Sequence, residues 1–173
     1  MDELVQKLNK LLASSFTMYL KAHNFHWNVE GQDFHQYHEF FGNLYEEVHG
    51  SVDATAEQIR ALGGYAKGSL TDYKELSTVR DQMTIPALQE MIAILKRDND
   101  SIIAVLNEVH DAATAKKEYG LINYIEGRID THKKHGWMLR ASMTKTDEMH
   151  EQTDIPTNST DEQVTTYVLH ITE

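Results

Sequence analysis

The chain has no cysteine among its 173 residues, so disulfides and thiolate metal chemistry are both excluded. It also lacks any apolar run long enough to span a bilayer. Its first residues, MDELVQKLNK, are too polar and already too periodic to read as a secretory signal. The expectation is one soluble domain in the cytoplasm. Positive charge is scarce as well: 16 Lys and Arg stand against 27 Asp and Glu, for a formal net charge of −11. Residues 146–173 contain no Lys or Arg and carry −7 of that charge, leaving −4 for the rest. A surface of this sign repels nucleic-acid phosphates. It favours divalent cations, although a solvating charge that keeps the protein soluble accounts for most acidic proteins. No internal repeat is present.

What the chain does have is helical periodicity. Leu4, Leu8, Leu11, Ser15, Tyr19, Ala22 and His26 recur at steps of three and four, the stripe of an amphipathic helix that ends near Gly31. Phe41, Tyr45, Val48, Val52, Ala56 and Ile59 form a second stripe, closed by Gly63 and Gly64 as residues free to take positive φ. The stretch from Tyr65 to Ile85 is weakly periodic and reads as a long crossover containing a short helix. Pro86 fits the first turn of a third helix with Leu88, Ile92, Leu95, Ile102, Leu106 and Val109 on one face. Ile122, Ile125, Ile129, His132, Gly136, Leu139 and Met143 trace a fourth. Two helical hairpins joined by a long connection make an all-α, ferritin-like four-helix bundle over residues 1–145. Residues 146–173 form an acidic C-terminal tail, of which Val164 to Ile171 is apolar and β-branched enough to dock or pair as a strand.

Five of the ten histidines, His23, His26, His35, His38 and His49, lie in the first two helices or their turn. His26 is five residues before Gly31 and His38 seven after it, so an antiparallel hairpin brings both to similar heights above the turn. Neutral imidazole is a good iron ligand, and two of them leave coordination positions open for water or an oxidant. The same spacing also suits a polar pair that closes the hairpin end. Asp53 and Glu57 are an i,i+4 carboxylate pair, common on solvated helices. Each follows an apolar position of its stripe by one residue and so projects about 100° away from the core, out of the subunit. From His38 to Asp53 is fifteen residues, about 22 Å of helix, too far for one ion within one chain. A symmetric dimer with antiparallel second helices sets His26 and His38 of one chain opposite Asp53 and Glu57 of the other, giving two equivalent sites.

The run HNFHWNVEGQDFHQYHEFFGNLYEEVHGSVDATAEQIRALGG resembles the signature of the Dps family, the mini-ferritins of starved and oxidatively stressed cells, and the helix order of residues 1–145 agrees. The resemblance implies a hollow shell of twelve subunits built from antiparallel dimers. It implies ferroxidase centres at the dimer interfaces, where hydrogen peroxide or oxygen oxidises iron(II) and a ferric mineral collects inside. The family's metal ligands fall on His26, His38, Asp53 and Glu57. Its tryptophan near the centre falls on Trp27, where the indole takes up stray oxidising equivalents.

Two positions depart from the family pattern. Where the family has an aspartate four residues after its second histidine, this chain has Gly42, which leaves the second of two iron positions weak; His35 and Glu46 are the neighbouring substitutes. Where the family has pore aspartates at the start of the fourth helix, this chain has Gly120 and Asn123, with Glu118 or Glu126 left to supply the acidic funnel. DNA binding is not expected, because the N-terminal arm holds only Lys7 and Lys10 and the C-terminal arm is purely acidic. A single-chain di-iron oxidase needs a Glu-x-x-His motif in each half of the bundle, and only Glu46 and His49 form one. The remaining alternative is a non-catalytic cage of the same architecture whose oxidation centre is degraded at Gly42.

Overall fold

The computed structural model describes residues 2–143, so the acidic tail and the segment Val164 to Ile171 lie outside the described residues. Asp2 opens the first helix, α1 (Glu3–Asn28), by accepting the backbone N–H of Leu4 at 3.0 Å, a side-chain cap for one of the orphan donors of the first turn. The helix stops at Asn28, three residues short of Gly31, whose φ of +113° lets the chain reverse. The second helix, α2 (Phe34–Ala61), runs back beside it. Gly63 donates to the Arg60 carbonyl at 3.0 Å and Gly64 to the Ile59 carbonyl at 3.1 Å, the paired bonds of a Schellman stop, with Gly63 at φ +79°.

The expected short helix in the crossover is α3 (Leu70–Leu76), capped by Ser69 and laid on α1. The expectation for Pro86 needs correction: α4 (Leu88–Lys116) starts two residues later, with Ala87 at its N-cap. α5 (Tyr119–Ala141) completes the bundle and ends before Met143, so that residue falls outside the helix whose face it was expected to share. α5 packs along α4, and α1 against α4 joins the two hairpins. All regular structure among the described residues is helical. No helix among them is long and apolar enough to cross a membrane.

The core contains most of the expected apolar positions: Leu4, Leu8, Leu11, Phe41, Val48, Ile92, Leu95, Ile102, Leu106, Val109, Ile125 and Leu139 are buried. Each such side chain contributes about 1.5–3 kcal/mol relative to exposure. The buried face of α2 differs from the apolar stripe. It runs through Ser51 and Thr55, while Val52 and Ala56 are only half-buried. Small hydroxyls are tolerated there because Ser51 donates to the Val48 carbonyl at 2.7 Å and Thr55 to the Ser51 carbonyl at 2.8 Å.

A second polar set crosses the interior. Lys21 of α1 and Asp98 of α4 form a buried ion pair at 2.5 Å. Asn99 accepts from His132 Nδ1 at 2.8 Å and donates to the His132 carbonyl at 2.9 Å. A Cβ at Gly136 would meet the Asn99 amide at 3.1 Å, so glycine there leaves room for this pair. His132 Nε2 faces Arg128, which in turn pairs with Glu47 of α2.

Candidate functional site

The turn between α1 and α2 brings His26 and His38 together through crossed bonds. His26 Nδ1 lies 2.6 Å from the His38 carbonyl and His38 Nδ1 lies 2.8 Å from the His26 carbonyl. A carbonyl oxygen only accepts, so each Nδ1 carries a proton, and in the neutral ring the lone pair belongs to Nε2. The two rings stack with centroids 3.7 Å apart and planes 23° apart. The hairpin end is therefore closed by the same contacts that fix the tautomer of both rings. Both readings of the pair drawn from spacing meet here, and the free Nε2 atoms are what a simple polar closure does not require.

Gly42 sits directly against this pair, since a Cβ built on it would lie 3.3 Å from both Nδ1 and Cε1 of His26. The missing side chain at this position gives the His26 ring its place. Neither neighbouring substitute is held against the pair: His35 is exposed with its ring edge-on to Phe34, and Glu46 is exposed and accepts from the Tyr45 hydroxyl at 3.4 Å. Asp53 and Glu57 are exposed further along α2, two residues from the buried Ser51 and Thr55, and so point away from the core. Trp27 is 58% exposed beside His26. Among the described residues of one chain, no three His, Asp or Glu side chains converge as a metal cage.

Two residues on this face, His23 and Tyr45, were not singled out as site residues by the sequence. His23, one turn before His26, has its ring stacked on Tyr45 at 4.0 Å and 17°, with the Trp27 ring tilted against it at 4.1 Å and 44°. Its Nδ1 is buried without a hydrogen-bond partner. Burial, then the neighbouring His26 and His49, hold its pKa below the usual imidazole value. Burial and the Glu46 carboxylate raise the Tyr45 hydroxyl above the usual phenol value. The i,i+3 and i,i+4 relation of His23 to His26 and Trp27 was the available signal. At the far end of the bundle Glu118 is the N-cap of α5, Gly120 and Asn123 are exposed, and Glu126 lies 3.4 Å from His110 Nε2.

Comparison with known proteins sets the class first. The family model for the Ferritin-like domain matches residues 5–149. The DNA protection during starvation protein of Brevibacillus brevis is 30% identical over 134 residues, covering 78% of this chain and 90% of that protein. The crystal structure of Dps from Staphylococcus aureus superposes with a TM-score of 0.79 at 31% identity, covering 83% of this chain and 96% of that one. A Vibrio cholerae Dps structure, described as a member of a broad superfamily of ferritin-like diiron-carboxylate proteins, shares the fold with a TM-score of 0.79 at 22% identity, covering 82% and 89%. The chain belongs to the Dps family of ferritin-like proteins.

Proposed function

We propose that this protein is a mini-ferritin that binds iron(II), oxidises it and keeps the ferric product, protecting its cell against oxidative damage. Kinship with Dps proteins and with the diiron-carboxylate superfamily supports iron storage and protection in general. The observation that carries the finer reading is the crossed His26 and His38 pair, whose Nδ1 atoms are engaged with backbone carbonyls while the two rings stack 3.7 Å apart, so that the Nε2 of each is the atom left to bind a metal on one subunit. Asp53 and Glu57 of a second subunit complete each centre across a two-fold axis, and twelve subunits close the shell.

In this reading the imidazoles bind iron(II) as neutral ligands and the carboxylates offset the charge gained on oxidation. Hydrogen peroxide, or oxygen, accepts the electrons; two iron(II) ions and two protons convert one peroxide to two waters. Trp27 stands next to the centre as a sink for surplus oxidising equivalents. Glu118 or Glu126 gives the entry path its acidic lining. Gly42 supplies no ligand atom, so the second iron position is the weaker one. The net charge of −11 argues against DNA as a partner, and the reading places the protein in the cytoplasm.

The test is to mix apoprotein anaerobically with iron(II), add peroxide and follow ferric absorbance beside a His26→Ala, His38→Ala variant. Fast oxidation to a soluble product in the wild type alone supports the reading. Equal, slow rates in both sink it and leave a non-catalytic cage, the reading that Gly42 favours.

A further inference from the structure

We propose that Trp27, His23 and Tyr45 form a conduit that moves an oxidising equivalent from the site face to Tyr45, with Glu46 accepting the phenolic proton. The three rings are in sequence and in contact: Trp27 to His23 at 4.1 Å, and His23 to Tyr45 at 4.0 Å with nearly parallel planes. His23 makes no hydrogen bond through its buried Nδ1, so this imidazole is positioned by its ring faces. The Tyr45 hydroxyl points at the exposed Glu46 carboxylate 3.4 Å away.

The origin of the oxidising equivalent rests on the ferroxidase reading; the transfer itself does not. Reducing one peroxide to two waters takes two electrons and two protons. When peroxide meets a centre with only its stronger iron position filled, that iron supplies one electron and Trp27 supplies the other, becoming an indole radical cation. Tyr45 then returns an electron to Trp27 through His23 while its hydroxyl proton passes to Glu46. The products are neutral Trp27, a neutral Tyr45 phenoxyl radical and a protonated Glu46. The hole ends half-buried, on a ring also 6.2 Å from Tyr19, and away from the exposed indole.

The experiment needs no iron, so failure of the ferroxidase reading does not decide it. Full-length apoprotein carrying Trp137→Phe, which removes the other indole, is oxidised by azide radical in a radiolysis pulse. Indolyl and phenoxyl absorbances are then followed together. The conduit gives a phenoxyl rise that mirrors indolyl decay at a rate independent of protein concentration. That rise is lost in Tyr45→Phe and in His23→Leu, retained in His23→Phe, which keeps a ring in the stack, and slowed in Glu46→Gln, an exposed site. A rise that persists in Tyr45→Phe, or an equal rate in His23→Leu, overturns the proposal. Indolyl decay without any phenoxyl in the parent overturns it as well.

Discussion

His26 and His38 each spend one ring nitrogen on the opposite helix, and the value of the arrangement lies in the nitrogen left over. Gly42 is part of the same geometry, because any side chain there must displace the His26 ring by a few tenths of an ångström. Gly42→Asp returns the carboxylate of the family pattern; we expect it to double the tight iron(II) sites per chain in an anaerobic titration, and unchanged stoichiometry refutes the weak-second-site account. His132 offers a different test. Burial, then Arg128 and His135, hold its pKa well below the ordinary value. The unfolded chain takes up this proton near pH 6.5, about where histidine usually titrates, and the folded one does so only far lower. Between those points the unfolded state binds more protons, so stability falls as pH drops below about 6.5, by up to about 1.4 kcal/mol per pH unit. His132→Gln lowers Tm at neutral pH and gives a shallower decline of Tm with acidification at fixed protein concentration; an unchanged decline assigns the effect elsewhere.

At the scale of elements, α4 ends less comfortably than α2. Lys117 occupies the left-handed position at φ +59° in a stop whose bonds, Lys117 to Thr114 at 3.1 Å and Glu118 to Ala113 at 3.0 Å, mirror those at Gly63 and Gly64. A side chain in that region costs about 1–2 kcal/mol, against about 0.4–1 kcal/mol of extra unfolded-state freedom for glycine. Lys117→Gly is therefore expected to raise stability by about 0.5 kcal/mol in denaturant titration, with a decrease counting against the strain argument. The Lys21 and Asp98 pair that ties α1 to α4 is buried at both ends, and burial outweighs the lysine in setting the Asp98 pKa above its usual value. Lys21→Ala leaves a buried charge and costs about 3–5 kcal/mol, whereas Lys21→Met with Asp98→Leu is near neutral. Helix existence was legible from apolar spacing, since α1 and α4 bury most residues of their stripes and α2 buries Phe41, Val48 and Ile59 of its own. What spacing missed is polar: Ser51, Thr55, Asn99 and His135 are buried, and an apolar count passes over groups whose burial depends on partners in other helices. The candidate site divides the same way. His26 and His38 were visible as a pair about the turn, but the crossed carbonyl bonds and the His23 stack depend on interhelical distances that no spacing fixes.

For the whole molecule, the interfacial reading makes a quantitative claim. Two dead variants, one lacking His26 and His38 and the other lacking Asp53 and Glu57, regain activity when unfolded together and reassembled. Random pairing makes half the dimers mixed, and each mixed dimer keeps one intact centre of two, so about a quarter of wild-type activity returns. Zero recovery places both residue pairs in unrelated roles. The charge of −11 leads to a second whole-molecule expectation: duplex DNA migrates unretarded with the assembled protein at physiological salt, and a shift abolished by magnesium chelation would identify cation bridging instead. The crossed histidine bonds have one more consequence. They are made entirely within a single chain, so a newly synthesised subunit already has its imidazoles oriented while its own Asp53 and Glu57 stand far along the same helix. Under the interfacial reading proposed above, a lone subunit is an incomplete trap whose hold on iron rises only when it finds a twin, and subunit concentration becomes the throttle on where and when iron is oxidised.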